Sequence, residues 1–264
     1  MNTKIPIALG IAAGGALLAR TRRMEARVER LAAAALETLL NAIEANDAET
    51  GQHLRRTAAC ARIIADAAGL DEAHQRAVER VALFHDIGKI HAAFSDIVHE
   101  GSKLTPLERR EIDTHPQRGA DVLAPLEAFY PELPAGVLSH HERWDGTGYP
   151  RRLKGTQIPL EARITSIADT FDAVEHTRRY RRGAGPTAAL EIVARGRGTQ
   201  FDPDFVDLAM LPPVAERLAR VRLARRPPRG RRRPREIEAT PEISFRWRFP
   251  SPGSRGVGAV RRVD

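Results

Sequence analysis

His85 and Asp86 stand side by side at the end of an apolar run, and His140-His141 opens the string His-His-Glu-Arg-Trp-Asp-Gly-Thr-Gly-Tyr-Pro over residues 140–150. The chain adds His53, His115 and Asp169. Imidazoles and carboxylates in this number are enough for more than one metal ion. The mixture suits iron, manganese, zinc or a related ion rather than calcium, which takes oxygen ligands. There is one cysteine, Cys60, so a thiolate zinc finger is disfavoured and an intramolecular disulfide is excluded. The chemistry such a set would serve is metal-dependent hydrolysis.

The spacings refine this. Glu49-Thr50-Gly51-Gln52-His53 puts a carboxylate and an imidazole on one helical face, unless Gly51 marks a turn. Neighbours on a helix point about 100° apart. His85 and Asp86 therefore reach one cluster only if their helix end is embedded among the ligands. Asp86 has two oxygens with which to bridge two cations. Lys89 follows one turn later, where its charge could hold a phosphate oxygen. Asp169 and Asp172 share a face of one expected helix. Asp86 and Asp169 are flanked by apolar residues, and burying either unpaired would be costly; a metal partner removes that objection. His74, His91, His99 and His176 read as ordinary surface or core histidines.

The elements that must position these residues are helices. Leu54, Ala58, Ala61 and Ala65 mark one apolar face, and Ala77, Val78, Val81 and Ala82 mark the next. Thr105-Pro106-Leu107-Glu108 is a capping box with proline at the first helical position. Ile164, Ile167, Ala168 and Phe171 follow Ile158-Pro159-Leu160, and 187–194 forms another helix closed by Gly196. No alternating strand pattern of useful length occurs. The expected organisation is an apolar segment at 1–21, a linker helix at 22–46, a core at 47–212, a terminal helix at 213–223 and an Arg/Pro-rich disordered tail at 224–264. The linker carries Val28, Leu31, Ala35, Leu39 and Ala42 as an apolar stripe. The net charge of +8 misleads: residues 215–264 hold 15 Arg against 5 Asp and Glu, or +10, which leaves −2 for the rest. Nucleic-acid binding is not expected of the core.

With these residues in place, the chain resembles the HD-GYP family of HD-superfamily phosphohydrolases over about residues 47–212. The eponymous His-Asp is His85-Asp86, within His-Asp-Ile-Gly-Lys, and the Gly-Tyr-Pro is Gly148-Tyr149-Pro150. Thr114-His115-Pro116, Ala168-Asp169 and Gly198-Thr199-Gln200-Phe201-Asp202-Pro203 recur in the family's order. The resemblance implies an all-α fold, an HD-domain helical bundle with a metal cluster at its centre, here preceded by a long N-terminal helix. It implies hydrolysis of cyclic di-GMP to pGpG, GMP or both, by attack of a metal-bridging hydroxide. The implied ligands are His53, His85, Asp86, His115, His140, His141 and Asp169. Glu49 matches a subgroup similar to members with a third ion, so the expected cofactor is two or three divalent ions, iron or manganese first. Asp86 and Lys89 are the expected catalytic residues. Lys89, Gly148, Tyr149, Asp172, Arg178 and Arg181 are the expected substrate contacts. Two strings depart from the family's usual ones: Ile90-His91-Ala92-Ala93-Phe94 and Val174-Glu175-His176-Thr177.

Rival readings are a non-catalytic module that binds cyclic di-GMP or docks a diguanylate cyclase through the Gly-Tyr-Pro loop, and a phosphohydrolase of another nucleotide. Residues 22–46 are a candidate homodimer contact. The expected location is cytoplasmic, with residues 5–19 a candidate anchor on the inner face of the membrane. That stretch is uncharged but short for a bilayer span of about 20 residues.

Overall fold

The chain turns from one helix into the next at residues that satisfy free backbone N–H groups. The computed structural model describes residues 5–90, 105–176 and 183–221. Its helices are α1 (Ile5–Asn46), α2 (Ala48–Ala67), α3 (Glu72–Phe84), α4 (Pro106–Ile112), α5 (His115–Leu123), α6 (Glu132–Ser139), α7 (Leu160–Glu175), α8 (Gly185–Arg195), α9 (Pro203–Met210) and α10 (Pro212–Ala219). Among the described residues there is no β-strand, only an isolated bridge between Arg197 and Phe201. Asp47 separates α1 from α2 and accepts the Glu49 N–H at 3.0 Å and the Thr50 hydroxyl at 2.8 Å. The expected capping box starts α4: Glu108 N–H donates to the Thr105 hydroxyl at 3.3 Å, and Thr105 N–H donates to the Glu108 carboxylate at 2.6 Å. Gly51 lies inside α2 rather than at a turn. A Cβ there would come within 2.3 Å of Glu44 Cγ, so the glycine lets α2 close on the end of α1.

Two compact units are distinguished, one ending at Glu37 and one beginning at Thr38. Every described candidate site residue belongs to the second. Its centre is α2, α3 and α7, packed on one another. Leu54, Ala58, Ala61 and Ala65 of α2 are fully buried, as are Val78, Val81 and Ala82 of α3 and Ile164 and Ala168 of α7. The faces expected from spacing are thus the core faces, and their alanines allow close helix approach. Cys60 is buried on α2.

The linker stripe differs. Val28 and Leu31 are exposed, at 38% and 62%, and so are Ala35 and Ala42. The buried residues of α1 are Ala32, Ala33, Leu36, Leu40 and Ile43. The helix carries two apolar stripes, and spacing alone cannot say which one the chain covers. The last helix runs over Pro212–Ala219 rather than 213–223. No helix among the described residues is long and apolar enough to cross a membrane. The tail from 224 lies outside the described residues.

After α3 the chain tightens into a 3-10 turn, Ile87–Ile90, against which α5 packs. A Cβ on Gly88 would stand 2.1 Å from the His115 carbonyl oxygen and 2.7 Å from the Gly119 nitrogen. Both are backbone atoms and neither can swing away. Gly88→Ala should therefore push α5 off the turn and destabilise the fold by about 3 kcal/mol. Urea unfolding checks this, and a midpoint equal to the parent's would contradict it.

Candidate metal centre

Helix ends deliver most of the site. His85 is the residue on which α3 ends, His115 opens α5, and α6 ends at His140. His53 comes from within α2 and Asp169 from within α7. His85, still in the helical region at the cap of α3, and Asp86 just after it face one centre. Two groups of side chains result, each with ligand atoms within 4.8 Å of one another: Asp86, His115, His140 and His141, and His53, His85 and Asp169.

The groups touch. His53 Nε2 lies 3.1 Å from Asp169 Oδ1, and His85 Nε2 lies 3.7 Å from that oxygen and 3.5 Å from Asp86 Oδ2. Asp86 Oδ1 is 3.3 Å from His115 Nε2 and 3.8 Å from His140 Nε2. Asp86 stands between the two groups, as a bridging carboxylate must. The Lys89 ammonium lies 2.8 Å from both Asp86 oxygens.

Backbone carbonyls fix the rings. His85 Nδ1 donates to the Ala82 carbonyl at 2.9 Å, His115 Nδ1 to that of Ile112 at 2.7 Å, and His140 Nδ1 to that of Val137 at 2.6 Å. A carbonyl oxygen can only accept, so each Nδ1 holds a proton and each ring turns its Nε2 inward. His115 Nε2 and His140 Nε2 then face each other at 3.1 Å. His85 Nε2 is buried without a hydrogen-bond partner. A shared cation would satisfy these nitrogens together, and nitrogen and oxygen donors without sulfur suit a divalent transition metal.

The local field agrees. Burial, then the neighbouring imidazoles, hold His140 well below its usual pKa. Burial, then His115 and Lys89, push His141 down to about 3. Both stay neutral at any ordinary pH and keep a lone pair for a metal. Burial would raise Asp86, but Lys89, His85 and His115 outweigh it and hold the carboxyl well below the ordinary range. Burial also opposes ionisation of Asp169, and His53 and His85 overcome it.

The Gly-Tyr-Pro loop is built onto this centre. The Tyr149 ring stacks on His141, with centroids 4.9 Å apart and planes 19° apart. A Cβ on Gly148 would meet the Arg143 nitrogen at 2.3 Å, so only glycine lets the loop fold back so closely. Glu142, 3% exposed, accepts the Arg151 N–H at 2.7 Å and the Leu153 N–H at 3.0 Å. Burial, then the Asp113 and Asp86 carboxylates, raise the Tyr149 phenol and keep it protonated.

Not every expected residue joins the centre. Glu49, in the first turn of α2, is in neither group. Asp172, expected to touch substrate, is 1% exposed: its oxygens take the His53 Nδ1 proton at 2.6 Å and the Arg56 guanidinium at 2.6 and 3.1 Å. Its oxygens thus face His53 and Arg56. His176, read as ordinary, brings Nδ1 to 3.1 Å from Asp172. Arg178 and Arg181 lie outside the described residues. Arg56 and Glu142 were missed. Arg56 had a signal in its place on the His53 face of α2; Glu142 had only its position next to the histidine doublet.

Known proteins share these features. The family model described as HD domain matches residues 37–205. The cyclic di-GMP phosphodiesterase response regulator RpfG of Xanthomonas campestris pv. campestris is 40% identical over 173 residues, covering 65% of this chain and 46% of that protein. The 3'3'-cGAMP-specific phosphodiesterase 2 of Vibrio cholerae is 34% identical over 173 residues, covering 65% and 33%. A cyclic di-GMP phosphodiesterase of Thermotoga maritima is 34% identical over 173 residues, covering 65% and 47%. This chain spans less than half the length of these relatives. With the matched segment containing both groups and the folded Gly-Tyr-Pro loop, the chain belongs to the HD-domain family.

Proposed function

We propose that the chain is a metal-dependent phosphodiesterase that hydrolyses cyclic di-GMP to pGpG, GMP or both. The observation that carries this reading is the convergence of His115 Nε2 and His140 Nε2, 3.1 Å apart, in a buried centre shared with Asp86 and His141. Asp86, His115, His140 and His141 would hold one ion, and His53, His85 and Asp169 another, with Glu49 in reserve for a third. Iron or manganese fits these donors. Divalent ions held there supply Lewis acidity towards a phosphoryl oxygen and acidify water at neutral pH.

The chain's own groups bind and orient. Lys89 is one-third exposed, at 33%, and can offer its ammonium to a non-bridging phosphate oxygen while Asp86 holds its other side. Arg178 and Arg181 would add charge against the same phosphates. Tyr149, flat on His141, gives a wall for the ribose or base. Relatives named for cyclic di-GMP and for 3'3'-cGAMP lie at similar identity, 34% for two of them, so a substrate panel must hold both dinucleotides and linear nucleotides. In the same reading α1 pairs two copies through exposed Met24, Val28 and Leu31, and the Gly-Tyr-Pro loop offers a diguanylate cyclase its exposed Thr147 and Pro150. Residues 5–19 would rest on the inner face of the membrane.

Protein purified without oxygen should carry on the order of two iron or manganese ions per chain. His85→Ala with Asp86→Ala should remove bound metal and abolish cyclic di-GMP turnover while the far-ultraviolet circular dichroism stays helical. Turnover retained in that double variant would refute the assignment. Leu31→Asp should convert a dimer to a monomer in sedimentation velocity with metal content unchanged. A wild-type chain that sediments as a monomer at every concentration would dispose of the dimer.

A further inference from the structure

The inward-facing histidines are held in two chemically different ways. His85, His115 and His140 give their Nδ1 protons to carbonyls of their own helical turns. His53 gives its proton to a carboxylate, Asp172 Oδ2, at 2.6 Å. A carboxylate pulls on that proton more strongly than a carbonyl does. The opposite nitrogen therefore becomes a better donor to a metal.

That carboxylate is itself held. Arg56 Nε donates to Asp172 Oδ1 at 2.6 Å and Arg56 Nη2 to Oδ2 at 3.1 Å, a two-point grip that sets the plane of the carboxylate. Arg56 follows His53 by three residues on α2, so both emerge from one helical face. Asp172 follows Asp169 by three residues on α7, again on one face. The two helices thus meet through a ligand pair, His53 and Asp169 at 3.1 Å, backed by a supporting pair, Arg56 and Asp172. Among the described residues, the polar contacts of Arg56 and Asp172 run to each other, to His53 and to His176, not to His115, His140 or His141.

We infer that Asp172 and Arg56 are positioning residues that set the ion affinity of the His53, His85 and Asp169 group alone. The inference rests on the proposed reading that both groups hold ions. Asp172 makes His53 the stronger donor, and Arg56 fixes the carboxylate's direction and offsets its buried charge. The two ions of the centre then differ in how firmly they are held, and the difference is controlled from outside the ligand set.

The test measures metal, not turnover. Full-length wild-type protein and the variants Asp172→Asn, Arg56→Met and Arg56→Lys are loaded with manganese. They are titrated with a chelator, and bound metal is read by elemental analysis and by the manganese paramagnetic resonance signal. Asp172→Asn should loosen one ion by about 10–100-fold and leave the other at its wild-type affinity. Arg56→Met should loosen the same ion less, and Arg56→Lys should recover part of that loss, since it restores charge without the fork. Should Asp172→Asn fail to fold, the two Arg56 variants decide the matter by the same readout. Both ions weakening together, or neither weakening in a wild-type background that binds two, would overturn the inference. A wild-type chain that binds no metal would instead overturn the proposed function.

Discussion

A neutral histidine whose Nδ1 proton is committed to an acceptor offers a lone pair from its other nitrogen, and its ring is fixed in direction. Four of the clustered histidines have Nδ1 so committed, three through carbonyls and one through a carboxylate. Burial makes the alternative, a second proton on each ring, costly for neighbouring imidazoles. The centre therefore sets the neutral His140 and His141 beside two carboxylates held ionised. The surrounding fold keeps these groups together against their mutual repulsion, and it can do so only because the helices that carry them are packed through a dry alanine-rich core.

The way the carbonyls are supplied explains why helix ends dominate the site. In mid-helix a carbonyl is taken by the N–H four residues on; in the last turn it is free. Ala82 and Val137 sit in the last turns of α3 and α6, so their oxygens are available to His85 and His140. Ile112 closes α4 and serves His115, the first residue of α5. One backbone feature thus ends the helix, satisfies the orphan carbonyl and selects the tautomer. The glycines serve the same end: Gly88 and Gly119 let the turn carrying Asp86 lie against α5, which brings Asp86 Oδ1 within 3.3 Å of His115.

Much of this was legible in the sequence, for reasons that also mark the limit. The core faces of α2, α3 and α7 follow from helical spacing because each has one dominant apolar stripe. Such reading fails on α1, where Val28 and Leu31 compete with Leu36 and Leu40 and only packing decides between them. The ligands were legible because imidazoles and acids beside apolar runs have few other reasons to be there. The contacts of Asp172 were not legible, because a carboxylate three residues from a candidate ligand can point to substrate or to another side chain, and its neighbours Arg56 and His53 are more than a hundred residues away in sequence. Glu142 was missed because accepting backbone N–H groups from a loop leaves no pattern in residue type.

The distribution of exposure gives the centre a direction. The side chains of His85, His115 and His140 are each 1% exposed and that of His53 is 8% exposed, so this wall is sealed against the core. Asp169 at 25% and Lys89 at 33% lie towards solvent, and His141 and Tyr149 are half-buried. Among the described residues, Lys89 and Asp169 are the partly exposed charges of the centre, and Lys89 covers the Asp86 carboxylate. The Tyr149 ring stacks on His141 and is anchored through Gly148 and Glu142. The buried side of the centre sets which ions can be held, and the exposed side sets what can reach them.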